Sequence, residues 1–506
     1  MEANSGKARP SGTPGNTGRQ GTTGAPGPQR RPGNTGNPGP QKSPGKPGKP
    51  GKKLTRAQRR RRHNIIRYSI FAAAGLIVIG LLVGLISLTG LILHHLGGSA
   101  EESAPSVSEA AVSPSPSPSP SPSPAVEPAT VTLMAVGDNL IHSTLYEYAQ
   151  QEDGSYDFTD IYRYVLSDIQ EADLACIQQE TIFVSDSVNY SNYPCFGTPS
   201  EMADSLYTLG FDVVCHASNH TWDKGYTGIS DTLEKWSSYP EVTVLGIHDS
   251  LEDSNTVRVV EKNGIRIAML DYTLHLNGFT ADEDYMVDLL DQDHKEEIRQ
   301  DVEQAVSMSD ITVVFMHDGN EDQFTPSTDQ QEWAQFFSDL GVGLIIGTHP
   351  HVVEPVEVLT GSGGNNTVVF WSLGNFVSSQ KDNFNLLGGI ANVTITRDST
   401  GTYVSEYSIS PVVTLISAEG TVGTGYAFHI YHLEDYTEEL AAKHIRDNCS
   451  PAEMQAVWDE IFPDGKTSGT ATARSTTGTQ SAEADDTEAA DPDTADSSAE
   501  ELPAAA

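Results

Sequence analysis

Between residues 130 and 430, strand-like apolar runs alternate with stretches of helical spacing. "TVTLMAVG" predicts a strand, "DFTDIYRYVLSDIQE" a helix, and "ADLACIQQE" a strand again. "PSEMADSLYTLG" reads as a helix with Pro and Ser near its start, followed by "FDVVCHASNH" as strand and loop. "EVTVLG" and "IRIAMLDYT" predict strands, and "HKEEIRQDVEQAVSMS" a helix before the strand "DITVVFMHDG". The helix "STDQQEWAQFFSDLG" precedes the strand "VGLIIGTHPH". From "NTVVFWSLGNF" to "YSISPVVTLIS" the pattern is nearly all strand. Alternation followed by a β-rich finish predicts an α/β sandwich rather than a barrel. A short helical region over 431–463 completes the folded part.

The flanks have other compositions. Residues 68–95 open with 26 uncharged positions, "YSIFAAAGLIVIGLLVGLISLTGLIL", which is long enough to span a bilayer as a helix. The basic flank "KKLTRAQRRRRHNIIR" precedes it and acids follow. The positive-inside rule then places the N-terminus in the cytoplasm and the main domain outside, as a single-pass protein of the cell membrane. A cleaved signal peptide is the alternative, but the run is long for that role. In the head, residues 1–67, glycine occupies 13 of the 16 multiples of three from Gly6 to Gly51, broken by Arg9, Arg30 and Lys42. A triple helix needs glycine in every triplet, so a solvated basic tail is the expectation. Residues 96–129, with "SPSPSPSPSPSP", form a stiff spacer. Residues 464–506 are acidic and cannot bury a core.

Charge divides along the same lines. The net charge is −39, yet residues 1–67 hold 16 of the 30 Lys and Arg and one acid, leaving 14 basic against 68 acidic residues beyond. That body repels nucleic acid, which is excluded as a partner. Cys176, Cys195, Cys215 and Cys449 lack metal spacing, and Cys176 and Cys215 end apolar runs, as buried thiols do.

Candidate chemistry collects where strands end. "AVGDNLIH" supplies Asp138, "ACIQQETIF" Glu180, and "VVCHASNHTWDKG" supplies His216, Asn219, His220 and Asp223. "VVFMHDGNED" supplies His317, Asp318 and Glu321, and "IIGTHPH" supplies His349 and His351. Strand C-termini are where α/β sheets build sites. The residue before proline favours extended geometry, so His349 and His351 are expected to face one way from an extended segment. Carboxylates, imidazoles and an amide oxygen suit Mn, Fe or Zn, one or two ions. Each position also has an ordinary reading: Asp138 as a turn residue, Asn219 and His220 as caps of a helix near Thr221, His317 as a core histidine. Five segments in the same relation favour the metal reading.

With "AVGDNL", "QQETIF", "SNHTWDKG", "HDGNED", "GTHPHVVEPVE" and "SLGNF", residues 131–376 resemble the poly-γ-glutamate capsule biosynthesis (CapA-type) family within the calcineurin-like metallophosphatase superfamily. The resemblance implies a four-layer α/β/β/α sandwich over 130–430, with Asp138, Glu180, Asn219, His317, His349 and His351 as metal ligands. Glu180 stands in the bridging position and His349 and His351 serve one ion each. His220 resembles the proton donor, and Asp223 joins it as the second catalytic candidate. Two departures stand out. Metallophosphatases begin D-x-H, whereas Leu140 occupies that third position and His142 lies two positions beyond it. The capsule family commonly has Trp where Asp318 stands. The resemblance implies a part in making or exporting an anionic surface polymer such as poly-γ-glutamate, alongside other capsule-synthesis membrane proteins. A metal-dependent phosphoesterase or amide hydrolase, and a non-catalytic binding module, are the competing readings.

Overall fold

The computed structural model describes residues 127–473 except 421, 422 and 424. The expected basic head, membrane helix, most of the spacer and most of the acidic tail lie outside these residues. Among the described residues no helix is long and apolar enough to cross a membrane. The strands are, in chain order, β1 (Ala129–Asn139), β2 (Leu174–Gln178), β3 (Phe183–Val184), β4 (Thr198–Pro199), β5 (Val213–Cys215), β6 (Thr243–Leu245), β7 (Arg258–Lys262), β8 (Ile265–Thr273), β9 (Ile311–His317), β10 (Leu344–Thr348), β11 (Val356–Thr360), β12 (Asn366–Phe370), β13 (Asn375–Val377), β14 (Leu387–Asp398), β15 (Gly401–Ser417), β16 (Ala427–His432) and β17 (Ser468–Thr470).

They form a mixed α/β fold with two large sheets. One runs β16-β15-β14-β1-β2-β5-β6, with β13 on β1 and β17 on β15; the other runs β11-β12-β10-β9-β8-β7. In the first, β1, β2, β5 and β6 are parallel; in the second, β8, β9, β10 and β12 are. Parallel neighbours end on the same side, so residues just past these strands gather at one edge of each sheet.

Side-chain alternation joins the layers. Val313 and Phe315 of β9 share a core with Leu133, Ala135 and Ile177 of the first sheet. Their neighbours Val314 and Met316 point the other way, under Ile298 and Val302 of helix Lys295–Met308 and Trp333 and Phe337 of helix Thr328–Asp339. A strand buried on both faces needs an unbroken apolar run, and "ITVVFMH" is one. The second helix starts at a capping box, Ser327 with Gln330. All four cysteines are free, and Cys176 and Cys215 are buried.

Several boundaries differ from expectation. The single helix expected over "DFTDIYRYVLSDIQE" is a 3-10 turn, Thr159–Tyr162, and a separate helix, Leu166–Glu171. The division at 430 falls inside β16, whose backbone pairs with β15. Residues 468–470, expected in the acidic tail, add β17 to the long β15, whose free backbone groups outweigh the poor strand propensity of Ser-Gly-Thr.

A buried ion-pair group beyond the first sheet's β6 edge sets a pH response. His248 lies 2.8 Å from Asp288 and 3.0 Å from Asp253. Burial alone would lower its pKa, but the two carboxylates outweigh burial and raise it to about 9. The folded value exceeds the unfolded one, so this stabilisation is complete below pH ~6.5 and is lost as pH rises through about 9. Urea melts should show a wild-type advantage over His248→Asn of about 3 kcal/mol at pH 6 that shrinks steadily towards pH 9.5. A difference independent of pH would contradict a charged His248.

Candidate metal centre

Each candidate residue stands at or just beyond a strand. Asp138 lies at the end of β1, Glu180 after β2, and Asn219 and His220 after β5. His317 ends β9, and His349 and His351 follow β10. All seven are buried. The two sheets thus present seven polar side chains to one region.

Contacts fix their arrangement. Asp138 Oδ2 accepts the His349 N–H at 3.2 Å and lies 3.2 Å from His351 Nδ1; Oδ1 is 3.5 Å from His317 Nδ1. Glu180 Oε1 is 3.7 Å from His351 Nε2 and 3.9 Å from His220 Nε2. Asn219 Oδ1 lies 3.0 Å from His317 Nε2, and the His317 and His349 rings are 4.9 Å apart. Asp138, Glu180 and His351 offer ligand atoms all within 4.8 Å of one another. Asp223 Oδ2 sits 2.6 Å from His220 Nδ1 and also accepts the Phe196 N–H at 2.7 Å. His216 stands apart, accepting a hydrogen bond from Trp236 Nε1 at 2.9 Å, as a core histidine does.

The extended geometry expected of His349-Pro350-His351 is not found. His349 has φ 98° and His351 φ 59°, both left-handed, and their rings lie 6.0 Å apart. Non-glycine residues rarely adopt this region, and two so close cost of order 1–3 kcal/mol each. The hydrogen bond from the His349 N–H to Asp138 overrides the local preference. The pair still meets, through a kinked turn.

The electrostatics suit a cation. Asp138 Oδ1, both Glu180 oxygens and His349 Nδ1 are buried without hydrogen-bond partners. Buried polar atoms are nearly always partnered, so four such atoms together are what a bound metal ion would satisfy. Burial raises the Glu180 carboxyl to about 7, with His351 opposing and Asp138 reinforcing the shift. Burial, then mutual repulsion among the histidines, holds His317 and His349 well below the ordinary range, as neutral rings able to ligate. For His220, burial opposes the charge, but the Asp223 hydrogen bond and the charges of Glu180 and Asp223 prevail and raise its pKa. Leu140 is buried and offers no ligand atom.

Residues 132–380 match the family described as bacterial capsule synthesis protein PGA_cap. This segment belongs to that family. The chain is 36% identical over 185 residues to the PGA biosynthesis protein CapA of Bacillus subtilis (strain 168), covering 36% of this chain and 47% of that protein. The chain is also 25% identical over 261 residues to the capsule biosynthesis protein CapA of Bacillus anthracis, covering 50% of this chain and 61% of that protein. The chain spans about half the length of these curated relatives. Among solved structures, a 5'-nucleotidase precursor from Thermus thermophilus aligns with a TM-score of 0.35 and 14% identity, over 67% of this chain and 60% of that one.

The PGA_cap segment also brings in residues that the sequence left unmarked. Asn375 of "SLGNF" places Oδ1 3.1 Å from His351 Nδ1, which leaves Nε2 towards Glu180. After β8, the His275 ring meets His349 edge-on at 5.4 Å, and Asn277 Nδ2 lies 3.4 Å from His220 Nδ1. Neither belongs to a spaced motif; only the placement of β8 beside β9 reveals them. Asp318 is buried with both carboxylate oxygens unpartnered, and burial raises it to about 6.

Proposed function

We propose that the PGA_cap segment is the outward-facing part of a membrane-anchored protein. It serves in making or exporting an anionic surface polymer such as poly-γ-glutamate, through a metallophosphatase-like centre on a four-layer α/β/β/α sandwich. The observation that carries the chemistry is the set of unpartnered buried ligand atoms on Asp138, Glu180 and His349, drawn from three separate strand ends. Asp138, Glu180 and His351 would hold one divalent ion, and Glu180, Asn219, His317 and His349 would form the second position. When bound, a divalent ion supplies Lewis-acid polarisation of a phosphoryl or carbonyl oxygen. The chain's own contribution is proton transfer. Asp223 fixes His220 through Nδ1, which leaves Nε2 on the Glu180 side to donate a proton to a leaving group. Support for the polymer comes from the family and from the capsule proteins named above. Anchoring rests on residues 68–95 and the basic flank before them.

Leu140 favours a second reading, in which the centre holds a single ion and binds polymer without cleaving it. One experiment separates the two. Deleting the gene should deplete surface polymer, and unaltered polymer would overturn the proposal. Re-expressing His220→Ala should leave polymer production depleted, since general-acid catalysis is typically worth ~10²–10⁴ in rate. Full restoration by His220→Ala would favour the holding role.

A further inference from the structure

We propose that Arg446, held beside His142 on one flank of the metal centre, binds an oxyanion of the substrate, a carboxylate or phosphate group. This rests on the polymer reading above only for the carboxylate source.

Several arginines and lysines of this acidic body are paired: Arg163 with Asp160, Lys235 with Asp204, Arg258 with Asp253, Arg266 with Asp310. Arg397 shares with Arg446 a buried Nε without a partner, but it stands opposite Ala129 at the start of β1, the strand whose other end carries Asp138. Arg446 is half-buried and makes no ion pair among the described residues. Its Nη2 donates to the Ser379 carbonyl at 3.0 Å, and its Nε is buried without a hydrogen-bond partner. Asp447, the next residue in the chain, is exposed. A partly desolvated cation without an anion is costly, and a ligand oxyanion would relieve that cost.

A relay of contacts through Ser379, His142 and Phe196 links Arg446 to His220. The Ser379 N–H donates to His142 Nδ1 at 3.3 Å. The His142 ring meets Phe196 edge-on at 5.3 Å, and Phe196 meets His220 edge-on at 4.7 Å. Burial lowers the His142 pKa to about 4, so at neutral pH this ring acts as a hydrogen-bonding group and Arg446 carries the charge. The segment bearing Arg446 is pinned: the Ile445 N–H donates to Ile416 O at 2.9 Å, and Asn383 Nδ2 to Asn448 O at 2.9 Å. Fixing the guanidinium in advance reduces the ordering cost of binding. Arg446 lies beyond residue 380, outside the segment that defines the family. It also answers an electrostatic difficulty: an acidic body repels a polyanion unless a cation stands where the chain must approach.

The test is calorimetric titration of the full-length protein, R446M and R446K with γ-linked glutamate oligomers and, separately, with inorganic phosphate, counting bound metal in each. R446M should bind about tenfold or more weakly, R446K should keep most of the affinity, and metal content should not change. Should R446M fold poorly, R446Q keeps a donor for Ser379 and carries the comparison. Equal oligomer binding by wild type and R446M overturns the inference and leaves the polymer reading standing. Phosphate binding that needs Arg446, with no oligomer binding by wild type, supports the subsite and removes the polymer reading. Binding of neither ligand overturns the inference, as does equal loss of metal in every variant, which would make Arg446 structural.

Discussion

Glu180→Gln should reverse its effect on stability when metal is added. In chelated protein the substitution should stabilise the fold by about 1 kcal/mol, because a carboxylate with two unpartnered, buried oxygens gives way to a neutral amide. The attraction to His351 is lost with the charge, but so is the repulsion from Asp138, and removing the burial cost, the largest effect on Glu180, decides the sign. With excess Mn²⁺ the order should invert. An ion bound only by the folded state stabilises it by about 2.7 kcal/mol at one hundred times its dissociation constant. The amide, a poor ligand for the position shared with Asp138 and His351, should forfeit most of that gain. Thermal melts with chelator and with metal, together with metal counts on the dialysed protein, read both halves. A difference of the same sign in both conditions would show that Glu180 is not a ligand and that its burial has another compensation.

The same electrostatic logic explains what the chain disclosed in advance. β8, β9 and β10 are visible as apolar runs because both of their faces are buried, and a polar residue at the end of such a run stands out. Asp138, Glu180, Asn219, His220, His317, His349 and His351 were legible for that reason. Their mutual contacts were not, since each crosses between strands far apart in sequence. Local preference even misled at His349, where proline favours extended backbone and the carboxylate of Asp138, 211 residues earlier, imposes a left-handed turn. His275 and Asn277 lie in a polar loop without internal spacing, and Asn375 in a motif whose partner is His351. The break between Tyr162 and Leu166 leaves no mark in the sequence because the apolar positions there keep a helical rhythm. β17 leaves none because its residues resemble the tail that follows.

Directly behind the histidine turn, Gly347 leaves less room for a Cβ than any other described glycine, and Gly347→Ala should be among the most damaging glycine-to-alanine changes. A Cβ at 347 would lie 1.8 Å from the Trp371 carbonyl oxygen and 2.9 Å from that of Phe370. Backbone atoms cannot rotate aside as a side chain can, so β10 and the chain leaving β12 must separate. That separation would strain the Ile346–Phe370 pairing and the bond from the Leu373 N–H to Gly347 O, 3.0 Å long. Overpacking of this kind costs roughly 3 kcal/mol or more. The damage should reach the centre, because Thr348, whose hydroxyl lies 2.9 Å from His317 Nδ1, and His349 come next in the chain. Gly364→Ala is the control: its φ of 78° disfavours alanine, but nothing lies within 4 Å of the added methyl, so the cost should stay near 1 kcal/mol. Urea melts of both variants in chelator, followed by metal counts, make the comparison. If Gly347→Ala loses no more stability than Gly364→Ala and keeps its metal, the strands behind the histidine turn are further apart than this structure places them.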